Sequence, residues 1–284
     1  MNHAQNCDKY EVKDDCQPGV YVVYYVMLVI FIVLAVLGIL NLIQARKLDK
    51  LKNPAILMFY VSSLVVVCLR ILLFSDPIFE WPLFFYLGVL MSLPTILYMF
   101  VGFSQVMISF ECIVAYMNLE HKENSNLTIL DRNAKIERNN KCLRYSYIFA
   151  ILSGAIIFIL FVIFTILLLV DNCDISSCSK TYQFTAPIGV LNIVLWMLLM
   201  YSTLRFISQI RRRFGTQYRR AVIKLTFILV LFSIAFLFRG FFDLWVTFVG
   251  PKIENLGMGK VGFALFVGIF YTVCEALPLL ILYI

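Results

Sequence analysis

Seven apolar stretches, each about 20 residues or longer, constrain this chain more than any other feature. A helix rises about 1.5 Å per residue, so about 20 apolar residues cross the ~30 Å hydrocarbon core of a bilayer. The stretches fall at about 20–44, 54–75, 83–117, 144–170, 183–208, 221–249 and 261–284. They predict an all-α, polytopic membrane protein: a receptor-like seven-transmembrane-helix bundle over 20–284 behind a short extracellular or lumenal tail at 1–19. Composition agrees, because 62% of residues are hydrophobic and 14% charged, against about 45–50% and 25% in soluble domains. The third stretch is too long for one upright span and too short for two. It predicts a single tilted helix kinked at Pro94, its inner end projecting past the hydrocarbon. The tail is polar and mixed in charge, so no cleavable signal peptide is expected.

Basic residues set the expected orientation. Of the 24 Lys and Arg, 16 lie in the junctions after the first, third and fifth stretches, among them Arg46, Lys47, Lys122, Arg144 and the run Arg211, Arg212, Arg213, Arg219, Arg220. The other side holds only Lys9, Lys13, Lys180, Lys252 and Lys260. An excess of Lys and Arg marks the cytoplasmic side, which places the N-terminus outside or in a lumen and the C-terminus in the cytoplasm. The net charge of +7 is thereby explained by topology, and nucleic acid is not an expected partner. The cytoplasmic basic loop at Arg211–Arg213 and Arg219–Arg220 lies within a turn or two of the bilayer, where anionic lipid attracts it. Residues 120–141 read as a flexible, Asn-rich loop. It carries the sequon Asn126-Leu127-Thr128, which faces the cytoplasm in this topology and stays unmodified.

The cysteines divide by side. Cys7, Cys16, Cys173 and Cys178 fall on the outer side, where disulfides form; four cysteines allow three pairings, and a local Cys173–Cys178 bridge and a tie from the tail to this loop are both open. Cys68, Cys112 and Cys274 read as packing residues, and Cys142 sits at the inner edge.

Charges inside apolar stretches are costly and mark either a cavity or a packing clamp. Five stand out: Arg70, Glu111, Arg239, Asp243 and Glu275. Arg239 and Asp243 are spaced i, i+4 and share a helix face. Counting outward from the 250–260 connection, Arg239 and Glu275 lie at similar depth, so Arg239 is the expected partner of Glu275 and Arg70 the second candidate. On this count, losing Arg239 should cost more stability than neutralising Glu275. The group reads either as the lining of a polar cavity or as a salt-bridged clamp with Arg70 snorkelling outward to Asp76 or Glu80. Pro278, three residues after Glu275, predicts a second kink. Only two histidines occur, His3 and His121, so no catalytic or metal centre and no cofactor is expected. No Walker loop, zincin motif or nucleophile elbow appears, and rhodopsin-like receptor signatures are missing. The chain reads as a non-enzyme.

Four helices carry a family resemblance. Met58–Phe74 with its Leu69-Arg70-Ile71-Leu72-Leu73-Phe74, Leu93-Pro94 with Ser109-Phe110-Glu111, Leu237-Phe238-Arg239, and above all Tyr271-Thr-Val-Cys-Glu275-Ala-Leu-Pro278 resemble motifs of the plant tobamovirus-multiplication membrane proteins, relatives of lysosomal orphan-receptor-like proteins. The resemblance implies a seven-span, receptor-like protein of endomembranes without enzymatic activity. It covers most of the helical core but neither the 120–143 loop nor the loop of Cys173 and Cys178. The functional expectation is a membrane scaffold that recruits cytosolic proteins through basic inner loops, in an endomembrane or the plasma membrane. A ligand-sensing receptor, or a proton- or solute-coupled transporter using Glu275 and Arg239, is the alternative.

Overall fold

The computed structural model describes residues 18–79, 90, 93–123, 128–170, 179–214, 219–249 and 260–283. Within them the chain is all-helical. The long helices are α1 (Pro18–Lys47), α2 (Pro54–Phe74), α3 (Leu93–Glu123), α4 (Ile129–Val170), α5 (Ser179–Phe214), α6 (Arg219–Val249) and α7, which comprises Lys260–Tyr271, a π turn Thr272–Ala276 and Leu277–Tyr283. A three-residue turn of 3-10 helix, Lys50–Lys52, joins α1 to α2, and a single helical turn, Asp76–Phe79, follows α2. Seven of these helices are long and apolar enough to cross a membrane. Their outer faces carry large exposed apolar side chains such as Val29, Ile43, Phe149, Ile159 and Phe238, a surface that fits a multi-pass integral membrane protein.

Local chemistry accounts for several of the helix starts. Asn53 caps α2: its Oδ1 accepts from Ala55 N at 2.8 Å and Ile56 N at 3.2 Å, and Pro54 occupies the first turn, where no backbone donor is needed. Thr128 caps α4 in a reciprocal arrangement. Asp131 N donates to Thr128 Oγ1 at 3.2 Å, and the hydroxyl donates back to Asp131 Oδ2 at 2.6 Å.

Helix α3 is the centre of the bundle, with 67% of its apolar window buried. It packs against α2, α4 and α5. Helix α5 pairs most extensively with α6, and α7 closes the ring between α1 and α6. Helix α4 lies outside this ring, with only 6% of its window buried, and it packs mainly on α3. Where α5 and α6 meet, a Cβ on Gly189 would stand 2.9 Å from the Gly240 carbonyl oxygen, and a Cβ on Gly240 2.9 Å from that of Gly189. Small residues at both positions let the two backbones touch.

Several expectations are corrected. The described part of the third helix runs from Leu93 to Glu123, with Leu90 in a π turn before it; the rest of 80–92, which the expected kink at Pro94 adjoins, lies outside the described residues. The stretch expected to be a flexible loop at 120–141 is mostly helical: α3 runs to Glu123 and α4 starts at Ile129, ten and more residues before the apolar run. The basic residues Arg211, Arg212 and Arg213 belong to α5, and Arg219 and Arg220 to α6, leaving only 215–218 between those helices. In each case helix propagation continues into polar sequence, because the costly nucleus has already formed and the charged residues are themselves good helix formers. The tail residues 1–17 and the disulfide candidates Cys7, Cys16, Cys173 and Cys178 lie outside the described residues. The four described cysteines are free thiols, and Cys68 and Cys112 are exposed rather than packed inside.

Candidate functional site

The carboxylate of Glu275 is wholly buried and is shared by two arginines from other helices. Arg70 on α2 donates from Nε to Oε2 at 2.7 Å and from Nη2 to Oε1 at 2.6 Å, a two-pronged pair. Arg239 on α6 donates from Nη1 to the same Oε1. Fork-shaped guanidinium contacts of this kind are the stronger and more directional ion pairs. Two further donors are engaged: Arg70 Nη1 reaches the Leu90 carbonyl at 3.4 Å, and Arg239 Nη2 donates to Thr95 Oγ1 on α3 at 2.7 Å. Arg70 stacks over the Tyr271 ring at 4.1 Å, and Arg239 stands 5.4 Å from the centre of the Tyr98 ring. Arginine is suited to both contacts at once, being weakly hydrated and planar.

A second carboxylate balances the charge. Asp243 is buried one turn from Arg239 on α6 and accepts from Asn192 Nδ2 on α5 at 2.9 Å. Asn192 and Asp243 lie one turn on from Gly189 and Gly240, on the faces by which α5 and α6 meet. Two buried cations thus meet two buried anions, and the group draws on α2, α3, α5, α6 and α7. Exposure is 0% for Arg70 and Glu275 and 2% for Arg239, so solvent does not reach the central pair. Among the described residues, three buried polar atoms of and around the group make no hydrogen bond: Tyr98 Oη, Asn192 Oδ1 and Arg239 Nε.

The local form of α7 explains how Glu275 reaches inward. Pro278 lacks the N–H that would bond the Cys274 carbonyl, and its ring crowds that carbonyl. The helix widens one turn earlier into the π turn, where Leu277 N–H donates to the Thr272 carbonyl five residues back. Glu275 sits inside this turn, a common place for a functional or strained residue. The expected kink at Pro278 is therefore a widened turn preceding the proline. At its end α7 is tied to two neighbours: Tyr283 Oη donates to Ser63 Oγ at 2.9 Å, and Asn41 Nδ2 donates to the Tyr283 carbonyl at 2.9 Å.

Of the five charges picked out in the sequence, Arg70, Arg239, Asp243 and Glu275 come together and Glu111 does not. Arg70 does not snorkel outward. It points inward to Glu275, Asp76 is itself buried, and Glu80 lies outside the described residues. Glu111, near the basic end of α3, accepts instead from Asn53 Nδ2 and Tyr147 Oη, linking the cap of α2 to α3 and α4. Thr95, Tyr98, Asn192 and Tyr271 had not been singled out as members of the group. Asn192 carried a signal, a lone amide in an apolar run. Thr95 and Tyr98 carried none, because hydroxyl residues are common in spanning helices. Among the described residues no group of three or more His, Cys, Asp or Glu converges to hold a metal.

Comparison with family models, curated proteins and solved structures found no match to this chain.

Proposed function

We propose that this chain is a non-enzymatic, receptor-like membrane scaffold whose work is done at its basic end, oriented with that end in the cytoplasm. The observation that carries the reading is the closure of the charged group. Arg70 and Glu275 are fully buried and mutually satisfied, which is how ion pairs fix helix packing rather than how they conduct a solute. The resemblance to the tobamovirus-multiplication proteins, with three of its motif charges meeting at one point, is consistent with it. So is the concentration of Lys and Arg at one end, which suits contact with the bilayer surface and with cytosolic proteins. Proximity labelling from a ligase fused after Ile284, in the protein's own cells, tests this. A reproducible set of cytosolic neighbours, lost when Arg211, Arg212, Arg213, Arg219 and Arg220 become Gln while topology is unchanged, is the expected result. The reading falls if the set is unchanged.

One observation favours the second reading, a proton- or solute-coupled transporter or a ligand-sensing receptor. Tyr98 Oη, Asn192 Oδ1 and Arg239 Nε are three unpartnered polar atoms beside buried charges, and a guest or a second conformation would satisfy them. Proton flux into vesicles holding the purified chain, abolished by Glu275→Gln, would establish that reading over the scaffold.

A further inference from the structure

We infer that α3 and α4 form a two-helix stalk at the basic end and that the outer face of its α4 arm docks an acidic protein segment bearing an apolar anchor. This rests on the scaffold reading above and names the partner chemistry of that end.

Internal hydrogen bonds fix the geometry. Asn53, at the start of α2, and Tyr147 on α4 both donate to Glu111 on α3, so these three residues share one level. That level is the basic border of the bundle, since Asn53 directly follows the α1–α2 turn. Beyond it α3 and α4 stay together. Asn118 Nδ2 donates to Asn140 Oδ1 at 3.0 Å, and Asn139 Nδ2 to Asn118 Oδ1 at 3.0 Å. Asn118 is seven residues past Glu111 and Asn140 seven before Tyr147, so the two helices advance in step by about 10 Å. Helix α4 continues to Ile129, about 27 Å past the level of Tyr147 at helical rise.

The face α4 turns away from α3 follows from its periodicity. Leu130, Glu137, Arg138, Lys141, Arg144 and Tyr145 recur at i, i+7, i+8, i+11, i+14 and i+15, one side of a helix with Lys135 at its edge, and all are exposed. On the opposite side Ile136, Asn139, Leu143 and Tyr147 are partly covered. From 129 to 145 the arm holds five basic and two acidic residues, and both acids are engaged. Asp131 caps the helix with Thr128, and Glu137 pairs with Lys141 at 2.8 Å.

The depth of these charges separates a protein partner from lipid. Arg144 and Lys141 lie within about 10 Å of the Tyr147 level, close enough for headgroups. Arg138 and Lys135 stand about 13 and 18 Å beyond it, farther than the ~8 Å screening length at physiological salt. Charges placed there gain little from the leaflet, and setting orientation is already served by those nearer the membrane. At the far end Leu130, on this side, is 81% exposed. A large aliphatic side chain so far beyond the apolar spans has no hydrocarbon to cover it. A basic strip ending in an apolar tip matches an acidic segment with an apolar residue at one end.

The test uses the full chain in phosphatidylcholine nanodiscs and, as probe, a fluorescein-labelled synthetic peptide rich in Glu with a Leu pair at one end, read by anisotropy. Saturable, salt-sensitive binding is expected, weakened about tenfold or more by Lys135→Glu with Arg138→Glu, and also by Leu130→Ser alone. Arg46→Glu with Lys47→Glu, the same change of charge on α1, should leave binding intact. All these side chains are exposed, so thermal unfolding should match the wild type. Equal binding by the stalk variant, or equal loss in the α1 variant, overturns the proposal. So does a result in which only nanodiscs containing phosphatidylserine respond to Lys135→Glu with Arg138→Glu, since the strip would then be reading lipid. If proximity labelling still finds the cytosolic set while the peptide ignores the stalk, the docking site is wrong and the scaffold reading stands.

Discussion

Arg70 and Glu275, 205 residues apart in the chain, meet through two parallel hydrogen bonds of 2.7 and 2.6 Å with neither side chain exposed. This pair ties α2 to α7, and Arg239 brings α6 to the same carboxylate. Glu275 is therefore the shared member, the acid on which two buried cations depend.

The order of mutational costs follows from that sharing and reverses the expectation drawn from depth alone. Glu275→Gln takes the shared carboxylate from two buried guanidiniums at once, whereas Arg239→Ala keeps the Arg70–Glu275 pair and leaves Asp243 with its Asn192 donor. Stranding a buried charge costs about 3–5 kcal/mol, so Glu275→Gln should lower stability more than Arg239→Ala. Thermal unfolding in one detergent ranks them. The opposite order would mean that Arg239, not Glu275, holds the group together.

Gly240→Ala should separate α5 from α6. Its new Cβ would stand 2.9 Å from a backbone oxygen and 2.7 Å from Ile193 Cγ1, and backbone cannot rotate away as a side chain can. Overpacking of this kind costs about 1–3 kcal/mol. A cysteine cross-linking survey of the α5–α6 seam would show the separation. An unchanged melting point together with unchanged cross-links would argue against this contact.

At Asn53 two roles are combined, capping α2 and donating to Glu111. Asn53→Ala should cost about 1 kcal/mol for the cap alone, and more because Glu111 loses a donor. Asn53→Asp keeps the cap but sets two carboxylates against each other. It should therefore be worse in the wild type than in a Glu111→Gln background, a difference that a double-mutant cycle measures.

Tyr98→Phe probes the closed interior from another side. The hydroxyl is buried and has no hydrogen-bond partner among the described residues, and an unsatisfied buried polar group carries a penalty of about 1–3 kcal/mol. Its removal should leave stability equal or higher. A clear loss of stability would reveal a bound water or guest at that hydroxyl, strengthening the second functional reading.

The orientation proposed for the basic end predicts that Asn126 is never glycosylated. Enzymatic deglycosylation followed by gel mobility reads this directly. A mobility shift that disappears in Asn126→Gln would place the stalk on the outside and remove the scaffold reading with it.

The number of helices and the position of most of them were legible in the sequence, because a helix that is apolar for about 20 residues needs no information from its neighbours to be recognised. The same holds for the rarity of Arg70, Arg239, Asp243 and Glu275, since each interrupts an apolar run. Depth counting brought Arg239 and Glu275 close but could not rank Arg70 first, because depth along a helix says nothing about which face it presents or which helices are adjacent. Adjacency is decided by packing: Gly189 against Gly240 draws α5 onto α6, and α7 closes between α1 and α6. The π turn was likewise invisible beyond Pro278 itself, since whether a missing hydrogen bond becomes a kink or a widened turn depends on what Glu275 must reach. The stalk was misread as loop for a related reason. Asn-rich polar sequence favours turns when isolated, whereas here it propagates from the spanning helices and α3 and α4 pair Asn118 with Asn139 and Asn140. Segment by segment, hydrophobicity specified the spans, while partners, faces and the helices beyond the spans were decided by contacts that form only once the bundle has assembled.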